Sequence, residues 1–246
     1  MYTYKAHKIL TILYLVEYAC SNSQKAFNAE LTAEGYHQGG LGAGVTNGIV
    51  TDNGANRWSF VPCGTTDEHG NYTGITQFTY EKTDAEGAVT GTLTTQVPTY
   101  RGIENPFGHV WKNVIDILVH FNAETSVNDV YINDNLSTLG STAVSDYKLQ
   151  CSTSIKEGYK KKLIYNPSFD TFPPTDEVYG ANTETYWCDY NWTNSSTSDR
   201  TLLIGGDSSS GTDCGVLGLS SRGGLGGALA NVSTLNYKKI TSEKIL

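Results

Sequence analysis

Residues Leu202 to Tyr237 read LLIGGDSSSGTDCGVLGLSSRGGLGGALANVSTLNY, an apolar strand that runs into paired glycines and then into small polar residues broken by short apolar segments. A core is not built from so much Gly, Ser, Thr and Asp. A flexible Gly/Ser linker, however, has no use for Leu202, Leu203, Ile204, Val216, Leu217, Leu219, Leu225, Leu229, Val232 and Leu235. Spaced apolar residues anchor strands from below, while the small polar residues decorate the opposite, solvated face. The stretch therefore reads as a surface displayed on a rigid frame, which points to binding rather than catalysis.

The rest of the composition agrees with that reading. The chain has 246 residues, 38% of them hydrophobic, enough for one large domain with its own core. Tyr outnumbers Phe by 16 to 7, and tyrosine offers wide amphipathic contact at low entropic cost on recognition surfaces. The net charge of −8, with no Lys/Arg cluster beyond Lys160–Lys162, argues against nucleic acid as a partner. That lysine run reads as a solvated loop or strand edge. Cys20, Cys63, Cys151, Cys188 and Cys214 form no CxxC pair and no zinc spacing, so they read as free buried thiols. Whether Cys188 and Cys214 meet is left open by the spacing.

Lys5 and Lys8 precede the apolar run Ile9–Val16 and then Ala19–Cys20, an arrangement close to a short secretory leader. Glu17 interrupts that pattern, and the run is too short to span a bilayer. Ile9, Leu13, Val16 and Cys20 share one helical stripe, so residues 5–20 are expected as a core helix, with a second helix over about 23–33. Residues 35–56 are expected as glycine-rich loop. Strands follow at Ile75–Glu81 and Val89–Val97, joined through the Thr83–Gly87 turn signal. The strongest strand signal is Val110–Phe121. Its odd positions are apolar except Asn113, and its even positions mix Lys112, Asp116 and His120 with Val114 and Leu118, a face read as partly solvated. Val130–Ile132 is expected to pair back with it. Residues 122–185 are expected as an irregular insertion, with further strands at Glu184–Tyr190, Arg200–Ile204, Cys214–Leu219 and Thr234–Tyr237.

Catalytic signatures are missing: the chain has no HExxH, no GxSxG, no Walker loop and no EF-hand loop. Two glycine clusters, Gly40–Gly44 and Gly223–Gly227, lack the strand-to-helix context of a phosphate cradle. The five histidines are isolated, and Asn-x-Ser/Thr sites begin at Asn71, Asn135, Asn191, Asn194 and Asn231.

The positive signal lies in two framework segments. Gly102-Ile-Glu-Asn105-Pro-Phe-Gly108-His-Val-Trp111 resembles the G-x-x-N-x-x-G-N-V-W segment of the formylglycine-generating-enzyme type of C-type lectin fold, and Arg200–Gly206 resembles its R-V-L-R-G-G strand. The chain is more closely similar, from about Leu10 to Tyr237, to the variable proteins of diversity-generating retroelements and to tail-fibre domains of gut bacteriophages. In that likeness Leu15–Tyr18 and Asn22–Gln24 fall in the first helices, and Tyr186–Tyr190 leads to the variable strands. Gly205–Asp207 opens the variable region, and Cys214–Gly215 sits within it. Lys112 and Asn113 depart from the acidic–aromatic pair usual after the tryptophan. The close cysteine pair of the copper-holding oxidases is not matched, since Cys214 stands alone in that region. The calcium-binding loops of sugar-binding lectins are not matched either.

The resemblance implies one α+β domain over residues 1–246 with a C-type lectin-like fold: two helices, a mainly antiparallel twisted sheet and long loops. It implies a non-enzymatic recognition protein without cofactor or metal, displayed on a virion tail or cell surface. The expected contact patch is Asp207, Ser208, Ser209, Ser210, Thr212, Asp213, Ser220, Ser221 and Arg222, with Tyr190 and Trp192 as aromatic neighbours and Gly108, Trp111, Gly205 and Gly206 as framework. Its partner would be a cell-surface protein or glycan, with no nucleic acid and no membrane insertion. Several copies in a homo-oligomer would compensate for weak single-site binding. The competing expectations are a formylglycine-generating type of metal-dependent oxidase and a purely structural virion or cell-surface subunit.

Overall fold

The computed structural model describes residues 2–23, 25, 64–84, 86–108, 110–164, 172–175, 180–182, 185–207, 210–226 and 232–233. Among them are one α-helix, α1 (Tyr4–Tyr18), and eleven strands: β1 (Gly74–Thr83), β2 (Val89–Tyr100), β3 (Ile103–Glu104), β4 (Trp111–Asn122), β5 (Val127–Ile132), β6 (Lys148–Thr153), β7 (Gly158–Tyr159), β8 (Tyr190–Trp192), β9 (Arg200–Ile204), β10 (Leu219–Ser220) and β11 (Val232–Ser233). The expected α+β fold of C-type lectin type with two helices is therefore corrected to a mostly β chain, 36% strand with one helix. The second helix expected over 23–33 falls almost wholly outside the described residues, as do the loop over 35–56 and the strand at Thr234–Tyr237.

The larger sheet runs β6-β5-β4-β9-β10-β8-β7, and this run curls into a half-barrel. Residues 122–185, expected as an insertion, supply β5, β6 and β7 to it. At its centre β4 gives one edge to β9 and shares the other between β5, along Ile117–Asn122, and β11, along Trp111–Lys112. Opposite β9 the register jumps from Val114↔Leu202 to Leu118↔Thr201. Residues 115–117 thus bulge out of the ladder, and an odd number of extra residues exchanges the two faces. Val114 consequently joins Ile117 and Val119 in one core with Val130, Leu202 and Ile204.

The even face of β4, expected as partly solvated, is buried at Lys112, Val114, Asp116 and Leu118. Asp116 is accommodated by the backbone N–H of Tyr4, which donates to its Oδ1 at 2.7 Å and ties the start of α1 to the sheet. Burial nevertheless pushes its carboxyl up to about 6.

Thr3 caps α1 by accepting from the Ala6 N–H at 3.3 Å, and Ala19 ends it in the left-handed conformation with its N–H on the Leu15 carbonyl. The helix lies almost where it was expected, but its buried face is Tyr4, His7, Leu10, Thr11 and Tyr14. The expected core stripe of Ile9, Leu13 and Val16 faces solvent. The aromatic residues decide the orientation. Tyr14 fills the second core beside Tyr100, Phe107, Val216 and Leu217, with its ring 5.0 Å from that of Tyr100 and its hydroxyl donating to the Ser23 carbonyl. A buried tyrosine removes more apolar surface from water than a leucine or valine and finds a partner for its hydroxyl here.

The β1–β2 hairpin pairs from Gly74↔Thr99 to Thr83↔Val89, with a bulge next to the turn. Asp84 organises that turn, its Oδ1 accepting from the N–H groups of Glu86 at 3.1 Å and Ala88 at 2.8 Å, while Gly87 takes φ +86°. At the other end Glu104 of β3 accepts from the N–H groups of Gly64 and Thr66 and from the Thr66 hydroxyl.

Candidate functional site

Strand β8 lies between β10, with which it runs parallel, and β7, with which it runs antiparallel. Tyr190 and Trp192, two residues apart, share one face of it. Tyr159 of β7 sits directly opposite Tyr190, and its ring meets the Tyr190 ring edge to face at 5.2 Å. The Tyr190 and Trp192 rings are 4.8 Å apart, and Trp192 meets Trp111 of β4 edge to face at 5.1 Å. Four aromatic rings thus form a continuous row. Tyr159, Tyr190 and Trp192 are half-buried and Trp111 is buried at its inner end.

Polar groups border the row. The Tyr159 hydroxyl donates to the Asp213 carboxylate and is also hydrogen-bonded to the Thr212 side chain. Burial and that carboxylate together push the Tyr159 phenol well above its ordinary value. Arg222 donates from Nε to Glu157 Oε1 at 2.8 Å and from Nη2 to Oε2, a two-pronged pair that leaves the guanidinium half exposed. Glu157 is held in turn by the Thr193 N–H at 2.7 Å. Tyr190 lies in the field of Glu157, Asp213 and Arg222, and burial with the two carboxylates raises its phenol.

The expected contact patch divides in two. Tyr190, Trp192, Thr212, Asp213 and Arg222 gather along the row. Asp207, Ser220 and Ser221, expected at the surface, are buried instead and act within the frame. Ser221 donates to the Thr193 hydroxyl at 3.0 Å, and Ser220 Oγ accepts from the Arg222 N–H. Asp207 and Ser210 close a turn on each other, with Ser210 Oγ bonded to both the Asp207 N–H and Oδ1 at 3.1 Å. Ser208 and Ser209 lie outside the described residues.

Two residues of the site, Glu157 and Tyr159, were not among those expected. They fall in the stretch read as irregular, and β7 is two residues long, too short to show an alternation. Tyr159 also stands directly before the lysine run, whose expected solvation is corrected at Lys160. Successive strand residues point to opposite faces, so Tyr159 turns to the aromatic row and Lys160 turns inward. There Lys160 is fully buried and donates to the Leu217 carbonyl. Asp189, also fully buried, accepts from the Leu217 N–H at 2.8 Å. Burial pushes the lysine down and the carboxyl up, each partly opposed by the other's charge. Lys161 stays at the surface, over the Tyr186 ring at 5.4 Å.

The two glycine-bearing framework segments meet behind this region. The Gly108 N–H donates to the Gly205 carbonyl at 3.0 Å, and Gly205 and Gly206 have φ +92° and +79°. A Cβ on Gly206 would stand 2.5 Å from the Cys214 Cβ. Lys112 is buried beside them, its ammonium donating to the carbonyls of Asn105 at 2.6 Å and Pro106 at 3.1 Å. Cys188 and Cys214 are both buried.

Among the described residues no group of three or more His, Cys, Asp and Glu side chains gathers where it could hold a metal ion. No helix among them is long and apolar enough to cross a membrane. No family model, no curated protein and no solved structure matches the chain.

Proposed function

We propose that this chain is a recognition module that binds its ligand at the row Tyr159–Tyr190–Trp192, with Thr212, Asp213 and the Glu157–Arg222 pair at its rim. The observation that carries this reading is the row itself: half-buried rings in mutual contact, bordered by charged groups held in place by hydrogen bonds. Tyr, Trp and Arg dominate the binding energy of recognition surfaces because they bury large areas at low entropic loss and still offer hydrogen bonds. The inward-turned Ser220, Ser221 and Asp207 give that surface a rigid support, which lowers the entropy lost on binding.

The likeness of Tyr186–Tyr190, Gly205–Asp207 and Cys214–Gly215 to retroelement variable proteins and phage tail-fibre domains supports display on a virion tail or cell surface. In that setting the rim residues Thr212, Asp213 and Arg222 are those open to exchange. The ligand is then a surface molecule of a host cell.

The test is binding of the labelled full-length chain to a panel of intact candidate host cells. Tyr190→Ala and Arg222→Ala should each weaken cell binding roughly ten- to thirtyfold, the effect of losing about 1.4–2 kcal/mol at a contact residue. Arg222→Ala, at a half-exposed side chain, guards against a folding defect in Tyr190→Ala. Unchanged binding by both folded variants would overturn the assignment.

A further inference from the structure

Helix α1 carries an apolar stripe that the other described residues leave exposed. Ile9 is 52% exposed, Ile12 45%, Leu13 40% and Val16 77%. At about 100° per residue these four fall within about 100° of arc, centred almost opposite the buried face of Tyr4, His7, Leu10, Thr11 and Tyr14. The sheet and both cores therefore lie on the far side of the helix. A contiguous stripe of four large aliphatic side chains on one helix marks an interaction surface rather than the scattered exposure normal for single residues.

The pattern is symmetric about its own centre. The point between Ile12 and Leu13 lies midway between Ile9 and Val16 as well, so a second α1 laid antiparallel sets Ile9 against Val16 and Ile12 against Leu13, twice over. An interface in which the same patch meets itself in this way is the isologous contact of a two-fold dimer. Charge favours the antiparallel arrangement. The first turn of α1 has Lys5 and no acidic residue, and the last turn has no basic residue. Within one chain Lys5 thus sits at the positive end of the helix dipole, while at the other end Arg101 is taken up by the Glu17 carboxylate. In the antiparallel pair the same symmetry brings exposed Lys5 level with Cys20 of the partner, just past the carbonyl end of the partner helix.

We propose that this chain pairs with a second copy through Ile9, Ile12, Leu13 and Val16, the two α1 helices antiparallel across a two-fold axis between Ile12 and Leu13. The pair stands independently of the recognition surface, and two copies joined this way would present two such surfaces to one cell.

Sedimentation velocity of the full-length chain, from sub-micromolar to near-millimolar concentration, tests the pairing. A monomer–dimer equilibrium is expected, with Val16→Asp raising the dissociation constant at least tenfold and Lys5→Glu raising it severalfold. Val16 is 77% exposed, so its replacement leaves the cores untouched. Disulfide trapping in a Cys20→Ser background reads the direction. Leu13→Cys lies beside its own copy at the axis and should cross-link, whereas Ile9→Cys lies seven residues from Val16 and should not. The proposal is overturned by a monomer at every concentration, by a dimer indifferent to Val16→Asp, or by cross-linking through Ile9→Cys in place of Leu13→Cys. It is equally overturned by a monomer in which Val16→Cys resists a thiol reagent, which would assign the stripe to another part of the same chain.

Discussion

Replacing Gly206 by alanine separates two demands that this position makes on its residue. The first is conformational, because φ is +79° and a Cβ there is destabilised by about 1–2 kcal/mol relative to glycine. The second is steric: the new methyl would stand 2.5 Å from the Cys214 Cβ, 3.1 Å from the Cys214 Cα and 3.2 Å from the Ser210 Oγ. Cys214 is buried in the second core with Val216 and Leu217, so its Cβ and Cα cannot yield without shifting packed backbone. Overpacking of this kind is worth about 1–3 kcal/mol. Gly87 supplies the control, having φ +86° but nothing within 4 Å of an added Cβ. After the entropy gained in the unfolded chain is allowed for, Gly87→Ala should destabilise by roughly 1 kcal/mol and Gly206→Ala by roughly 2–4 kcal/mol. Urea unfolding followed by tryptophan fluorescence measures both. In a thermal scan each kcal/mol corresponds to about 2–4 °C for a chain of this size. If the two variants agree within about 0.5 kcal/mol, the close approach of Gly206 to Cys214 is not there, and the role assigned to the double glycine fails with it.

Burial pushes the Lys112 ammonium down to about 7, whereas the unfolded chain holds that proton to about 10.5. The unfolded state therefore binds more protons in between, and stability should rise by up to about 2 kcal/mol from pH 7 to 8.5. Above that window the thiols of Cys151 and Cys214, pushed up by burial, act in the opposite sense. Lys112→Met should flatten the rise and also destabilise the fold, because the Asn105 and Pro106 carbonyls lose their donor; urea titrations at a series of pH values distinguish the two effects. Asp84→Ala should weaken the β1–β2 turn by about 1 kcal/mol and speed hydrogen exchange at the Glu86 and Ala88 amides, with Asp84→Asn restoring protection.

Local pattern made several elements legible in advance. Helix α1, the β1–β2 hairpin with its turn, β4 and β9 all lie close to where periodicity and turn residues placed them, because their signals are contained in the segments themselves. The expectation failed where two local patterns competed. Two stripes of α1 can face a core, one aliphatic and one aromatic, and both cores are assembled from residues about a hundred positions or more away, so nothing within residues 4–18 could choose between them. The bulge at residues 115–117 of β4 is likewise invisible from the strand's own alternation, since it appears only against the register of β9. Strands β6 and β7, six residues or fewer, carry too little pattern to be told from loop, which is why 122–185 read as irregular and a second helix weighed too heavily in the fold.

The same division holds at the site. The stretch from Gly205 to Arg222 announces by composition that small polar residues are held on an apolar frame, and the patch expected from that stretch and its resemblance includes Thr212, Asp213 and Arg222 beside Tyr190 and Trp192. Which polar side chains stand on the surface is a question of strand pairing. Alternation in β7 and β8 turns Tyr159, Tyr190 and Trp192 to one face, and sends Lys160 and Asn191 to the other. The serines at 220 and 221 fill their hydrogen bonds inside the frame. Sequence by itself determined the inventory of groups and the local elements that carry them, because propensity and periodicity act over a few residues. Only the tertiary structure decided which of those groups meet, because the contacts that gather them join residues far apart along the chain.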